Sequence, residues 1–140
     1  NTASEYGFGA VIASLPGFLV LADWLKGIPN PLVNEAITVT LLAGITGSAS
    51  GGMSIALAAM SESFIAAAHA ANIPLEVLHR VAAMASGGMD TLPHNGAVIT
   101  LLAVTGLTHR EAYKDIFGIT IIKTLAVFVV IGTFYATGIV

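Results

Sequence analysis

Four long apolar runs with few charged side chains dominate this sequence. They cover residues 6–22, 36–71, 74–107 and 116–140, and the last run contains a single charged residue, Lys123. About 20 consecutive helical residues cross the hydrocarbon core of a bilayer, so runs of this kind predict transmembrane helices. We therefore expect an all-α membrane protein, with residues 1–140 forming one transmembrane region.

The composition excludes several other classes of protein. Hydrophobic residues make up 56% of the chain and charged residues 9%, with a net charge of −3, whereas soluble domains carry about 25% charged residues. This apolar content also excludes a disordered chain, and the lack of a basic cluster argues against nucleic-acid binding. Without cysteine there is no disulfide framework, thiolate nucleophile or cysteine-based zinc site.

The second run, residues 36–71, predicts a helical hairpin rather than one span. Its first arm, residues 36–45, is short, and three glycines follow within residues 46–52. Each glycine costs a helix about 1 kcal/mol relative to alanine, and apolar runs of about 10–14 residues are often re-entrant. We expect the chain to enter the membrane, turn at residues 46–52 and return.

The third run, residues 74–107, predicts a broken transmembrane helix. Asn72 is expected to cap its first half and Pro74 to lie in the first turn. Residues 87–96 then interrupt the helix, because they contain glycines and Pro93, which removes a backbone donor and clashes with the preceding turn.

The fourth run, residues 116–140, predicts an uninterrupted span. Thr108 and Glu111 have the spacing of a capping box just before it. We interpret Lys123 as a residue that snorkels to the membrane interface.

The pentapeptide Ala-Ser-Gly-Gly-Met occurs twice, at residues 49–53 and 85–89, and both copies fall at the expected breaks. Backbone groups freed from a helix inside a membrane need partners, so such breaks are tolerated where they pack in protein or line a wet cavity. Helix ends at a break also favour ions: carbonyl ends favour cations and N–H ends favour anions. The repeat therefore predicts a polar site where the two breaks meet.

Polar residues within the two breaks are the candidates for this site. Asp90 and His94 are candidates for binding a coupling proton or cation, since ionisable groups at membrane depth are functional candidates by default. The candidates for substrate binding carry hydroxyl, amide or backbone N–H groups, and they are Ser48, Ser50, Ser86, Thr91, Asn95 and Gly96. No cofactor and no metal site are expected.

Simpler interpretations remain open for these features. The glycine-rich segments are also typical of surfaces where membrane helices pack closely, and residues 90–95 also fit a loop outside the membrane. Glu62 and His69 share one helical face, which fits a proton relay or a face of the hairpin at the membrane interface.

Residues 47–53, and above all the string Gly-Met-Asp-Thr-Leu-Pro-His-Asn-Gly at residues 88–96, resemble the gluconate permease (GntP) family, in particular its D-beta-hydroxybutyrate permease-like branch. The likeness continues through residues 106–110 and 113–116. It implies the C-terminal part of a longer multi-pass carrier in the bacterial inner membrane. Such carriers belong to the ion-transporter superfamily, whose inverted repeats each contain a re-entrant hairpin and a broken helix.

The resemblance also implies a function and partners. The expected function is secondary transport of a small organic anion, such as D-3-hydroxybutyrate or gluconate, by symport with protons or alternatively sodium. The expected partners are the substrate, the lipid bilayer, the missing N-terminal half of the same protein and a second copy in a homodimer.

Two rival functions come from other classes. An intramembrane serine hydrolase would use Ser50 or Ser86 with His94 or His69, although no serine lies in a Gly-x-Ser-x-Gly elbow. A non-catalytic membrane subunit would use its glycines only to pack helices. We expect a carrier rather than an enzyme.

Overall fold

The computed structural model describes residue 11 and residues 14–139, and this part of the chain is helical with no β-strand. Its helices are α1 (Pro16–Lys26), α2 (Pro31–Thr46), α3 (Ala49–Ala70), α4 (Leu75–Ser86), α5 (Gly96–Thr105) and α6 (His109–Thr137). Helix α2 lies at the centre, where it packs against α1, α3, α4 and α6.

The first predicted span, residues 6–22, lies partly outside the described residues, which include residues 11 and 14–22 of it. Within them, α1 continues through Asp23 to Lys26, beyond the predicted end of the first run at residue 22, so the connector between α1 and α2 consists of residues 27–30. Pro31 does not break a helix but begins α2, where its fixed φ angle suits the first turn. Glu35 lies inside α2 and is buried, not in a connector.

Helices α2 and α3 form the two arms of a hairpin with a very short turn. Helix α2 ends at Gly47, whose φ of 63° is the left-handed conformation that glycine adopts without strain. Ser48 then caps α3, its hydroxyl oxygen accepting a hydrogen bond from the Gly51 N–H at 3.1 Å. The turn occupies residues 47–48 rather than the predicted 46–52.

Gly51 and Gly52 both lie within helix α3, and at Gly52 packing outweighs the low helix propensity of glycine. A Cβ atom on Gly52 would lie 2.2 Å from the backbone nitrogen of Ala43, so the missing side chain lets the backbones of α2 and α3 approach closely. At this glycine, the interpretation as a close-packing surface is correct.

Helix α4 begins one residue later than predicted, with Pro74 at the N-cap position. The expectation that Asn72 caps this helix is wrong. Asn72 instead has a φ of 52° and ends α3, its backbone N–H donating to the carbonyl of His69 at 3.1 Å. Asparagine takes this left-handed conformation more readily than most residues other than glycine.

The chain leaves helical geometry between α4 and α5, at residues 87–95. Helix α5 restarts at Gly96, where the side-chain oxygen of Asn95 accepts a hydrogen bond from the Ala97 N–H at 2.6 Å. The third run is therefore interrupted where glycines and Pro93 predict a break.

Helix α6 has 29 residues and begins at the predicted capping box, in which the Thr108 N–H donates to Glu111 Oε2 at 2.9 Å. By length and composition, α3 and α6 are the described helices able to cross a membrane. Most of the α6 surface is uncovered, and Ile122 and Val129 are 68% and 66% exposed. An apolar surface of this size requires lipid or another protein surface against it.

Candidate functional site

The helix break and the hairpin turn are in direct contact. His94 Nε2 donates a hydrogen bond to the carbonyl oxygen of Gly44, in the last turn of α2, at 2.9 Å. A Cβ atom on Gly47 would lie 3.0 Å from His94 Cδ2 and 3.3 Å from the Cα atom of Asn95. The two irregular segments therefore meet, as the repeated pentapeptide predicts.

The start of the break is also held against α2. Thr40 Oγ1 donates to the carbonyl oxygen of Ala85 at 3.0 Å, in the last turn of α4. A Cβ atom on Gly88 would lie 2.9 Å from Thr40 Cγ2, so this glycine permits the close approach. Thr40 thus satisfies a carbonyl at the helix end, as a break within an apolar environment requires.

An ion pair joins the break to the middle of α6. Lys123 Nζ lies 2.5 Å from Asp90 Oδ1, and the two side chains are 33% and 26% exposed, respectively. Fourteen residues of α6 precede Lys123 and fourteen follow it, which places it about 21 Å from either helix end at 1.5 Å per residue. The interpretation of Lys123 as an interface anchor did not include a partner, and its ammonium group pairs with Asp90.

Other polar contacts fix the break along α6. The hydroxyl groups of Thr91 and Thr120 lie 2.6 Å apart, and Thr120 is buried. Tyr113 donates to the carbonyl of Thr91 at 3.5 Å. Nearer the start of the helix, His109 Nε2 donates to the carbonyl of Pro93 at 2.9 Å. The break is therefore held between α2 on one side and α6 on the other.

The predicted binding residues take different positions around these contacts. Ser48 and Ser50 lie at the hairpin turn with their hydroxyl oxygens 3.4 Å apart, and Ser50 is exposed. Asn95 is buried, and Gly96 is exposed in the first turn of α5. Ser86 is also buried, and its hydroxyl donates within α4, to the carbonyl of Ala83 at 2.8 Å.

The sequence analysis missed three polar residues at this site: Thr40, Thr120 and Lys123. Lys123 carried a signal, since it is the one charge in the last apolar run. Thr40 and Thr120 carried none, because threonines in membrane helices commonly bond to their own backbone.

The alternative site interpretations find less support. Among the described hydrogen bonds, none joins a serine to a histidine, the contact that a serine hydrolase uses. Glu62 and His69 are exposed on α3. The described residues also contain no group of three metal-ligating side chains.

A curated protein is similar in sequence to this chain over the whole length of the chain. The chain is 67% identical over 141 residues to the uncharacterized transporter YxjC of Bacillus subtilis (strain 168), and the match covers all of this chain but 30% of that protein. No protein-family model and no solved structure matches the sequence. This chain is an all-α membrane protein. It spans about 30% of the length of this curated relative.

Proposed function

We propose that this chain is part of a secondary active transporter that moves a small organic anion across the membrane by proton symport. The observation that carries this proposal is the meeting of two non-helical segments beside an ion pair at the centre of a long apolar helix. Transporters commonly bind substrates at such discontinuous helices. The Bacillus subtilis relative is named as a transporter, which supports the same class.

The position of Lys123 supports a location deep in the membrane. If α6 crosses the bilayer, its central residue lies near the midplane, and Asp90 must lie at a similar depth to pair with it. Helices α4 and α5 have 12 and 10 residues, which reach about 18 Å and 15 Å. Neither is long enough to cross the hydrocarbon core of about 30 Å alone, so we infer that they cross it together with the break between them.

The resemblance to the gluconate permease family supplies the wider architecture of this proposal. The α2–α3 hairpin would be re-entrant, and α4 and α5 would form the broken helix of the C-terminal inverted repeat. The missing N-terminal half would contribute the matching repeat and half of the substrate site. The complete carrier would be a multi-pass protein of the bacterial plasma membrane, with a homodimer as its proposed assembly.

Within this site we assign roles by chemistry. The N-terminal end of α5, near Asn95 and Gly96, presents backbone N–H groups that favour a substrate carboxylate. The hydroxyl groups of the substrate, a hydroxy acid such as D-3-hydroxybutyrate or gluconate, would bond to Ser48, Ser50 and Thr91. We assign Ser86 a supporting position at the end of α4.

The coupling ion would bind among the ionisable groups of the break. Asp90 or His94 would take up the coupling proton, with sodium as the alternative ion. Transport would proceed by alternating access, in which the hairpin and the broken helix move together against the remaining scaffold.

The test is counterflow of labelled D-3-hydroxybutyrate or gluconate into proteoliposomes that contain the full-length protein. We expect Asp90→Asn and His94→Ala to abolish uptake driven by a proton gradient. His79→Ala, at an exposed histidine of α4, is the matched control and should transport normally. Intact proton-driven uptake in both site variants would refute the role assignment, and no flux of any hydroxy acid in the wild type would refute the proposed function.

A further inference from the structure

The Lys123–Asp90 ion pair contains a cationic group that can bind an anion and a carboxylate that can bind a proton. Lys123 Nζ bonds to Asp90 Oδ1, and Lys123 comes from a helix outside the hairpin and the broken helix. A lysine at the centre of an apolar helix is costly unless it is paired. In the structure, Asp90 is the anionic partner that neutralises it.

We propose that Lys123 is the anion-binding residue of the carrier. The carboxylate of the substrate takes the place of Asp90 on the Lys123 ammonium group, and the released Asp90 carboxylate takes up the coupling proton. This inference rests on the proposed function, but it places the substrate carboxylate on Lys123 rather than on the N–H groups of α5. It also gives a reason why anion and proton are taken up together.

Charge balance makes the binding of the anion to Lys123 and the protonation of Asp90 depend on each other. Breaking a partly buried ion pair without compensation leaves two unpaired charges, which is costly away from bulk water. A substrate anion on Lys123 neutralises one of them, and a proton on Asp90 neutralises the other. The site is neutral before and after, so one proton enters with each monocarboxylate and the transport cycle of a monocarboxylate is electroneutral.

The surroundings of the pair suit a hydroxy acid. Both side chains are partly exposed, so a solute can reach them without opening a packed core. The adjacent hydroxyl groups of Thr91 and Thr120 are donors and acceptors for a substrate hydroxyl. We therefore infer that these groups distinguish hydroxy acids from simple fatty acids.

Other titratable groups lie near Asp90 and are alternative proton carriers. Helix α6 presents Lys123, Tyr113 and His109 to the break, and the break itself contributes His94. The groups that α2 places against the break, Thr40 and Gly44, do not titrate. Of the acidic groups in these contacts, Asp90 is the one that an anion would displace from its cationic partner.

The alternative is a permanent ion pair that only fastens α6 to the break. Two variants separate these roles in full-length protein reconstituted into proteoliposomes, with labelled D-3-hydroxybutyrate and gluconate as probes. Lys123→Gln should raise the KM for counterflow at least tenfold. Asp90→Asn should keep counterflow with a KM no higher than that of the wild type, but should lose the acceleration by an inward proton gradient.

Control variants protect this test against folding artefacts. Lys114→Gln removes an exposed lysine of the same helix and should leave both measurements unchanged. Lys123→Arg keeps the charge and should retain binding better than Lys123→Gln. If Lys123→Gln does not fold, Asp90→Asn provides the test. A KM raised tenfold, or persistent acceleration by the proton gradient, in this variant contradicts the proposed replacement of Asp90 by the substrate.

The neutral double variant Asp90→Asn/Lys123→Gln gives the sharpest contrast. If the substrate replaces Asp90 on Lys123, the double variant should bind substrate as poorly as Lys123→Gln, because no ammonium group remains. A purely structural pair predicts recovery of transport, since the amide side chains can still hydrogen-bond. Recovery, or a wild-type KM in Lys123→Gln, overturns the inference while leaving the proposed function standing. Failure of the wild type to exchange either anion counts against the proposed function itself.

Discussion

The two copies of Ala-Ser-Gly-Gly-Met have opposite local structures. Residues 49–53 begin helix α3, whereas residues 85–89 end helix α4 and lead into the break. The neighbours decide the difference: Ser48 caps the first copy, while Pro93 follows the second and prevents the helix from continuing. An identical pentapeptide therefore does not dictate one backbone conformation.

The two copies nevertheless share one packing role. The second glycine of each copy lies against α2, Gly52 at Ala43 and Gly88 at Thr40. Ala43 and Thr40 are three positions apart and so lie on neighbouring parts of the same helical surface. The repeat brings both irregular segments close to α2, and the predictions below test how strictly each contact is required.

The largest effect is expected at Gly52. Its added Cβ atom would lie within 2.6 Å of three backbone atoms of Leu42 and Ala43, and a helix backbone cannot move aside as a side chain can. Gly52→Ala should destabilise the protein by about 3 kcal/mol or more, measured as loss of folded, monodisperse protein on heating in detergent. Gly118→Ala is the control, because its Cβ atom meets nothing within 4 Å. Equal stability of the two variants would contradict the close packing of α2 and α3.

A smaller effect is expected at Gly88. Here the nearest atoms to an added Cβ, at 2.9 Å and 3.0 Å, belong to the Thr40 side chain, which can rotate. Gly88→Ala should cost about 1–2 kcal/mol, and Thr40→Ser in the same chain should restore part of it by removing Cγ2. The measurement is a double-mutant cycle of thermal stability in detergent. Additive effects of the two substitutions would show that Gly88 and Thr40 do not touch.

The removal of the Thr91–Thr120 contact should have a similar or smaller effect. Thr120→Val keeps the shape of the side chain but leaves Thr91 without the hydroxyl partner at 2.6 Å. We expect a loss of about 1 kcal/mol of stability, read from the same thermal assay. Thr133→Val, at an exposed threonine that bonds to its own helix, is the matched control and should change little. A larger loss of stability in Thr133→Val than in Thr120→Val would show that the Thr91–Thr120 contact does not stabilise the break.

The smallest effect is expected at the cap of the hairpin turn. Ser48→Ala removes the hydroxyl that accepts from the Gly51 N–H, and N-cap losses are typically about 1 kcal/mol. Ser48→Asp, which retains a capping oxygen, should preserve stability. If alanine and aspartate behave alike in the thermal assay, Ser48 does not hold the start of α3.

Local signals in the sequence predicted much of this architecture. Pro93 and its neighbouring glycines marked the break, and Thr108 with Glu111 marked the start of α6, because capping and proline effects act over a few residues. The contact of the break with the hairpin turn followed from the repeated pentapeptide and from the need to satisfy backbone groups in an apolar environment.

Other features depend on tertiary contacts that a local pattern does not contain. The helical state of Gly52 follows from its packing against α2. The partner of Lys123 lies 33 residues away along the chain, so neither the charge nor its neighbours indicated the pair. Asn72 was misassigned because asparagine suits both a helix N-cap and a left-handed helix end.

The position of the Asp90–Lys123 pair relative to the bilayer is the most direct test of this account. We suggest a cryo-EM structure of the full-length protein in lipid nanodiscs, in which the lipid boundaries are visible. The account predicts the pair near the middle of the lipid density, roughly 15 Å from each boundary of the hydrocarbon core, with residues 94–95 against the hairpin turn. A pair at the level of the headgroups, or a break separated from residues 47–48, would contradict it.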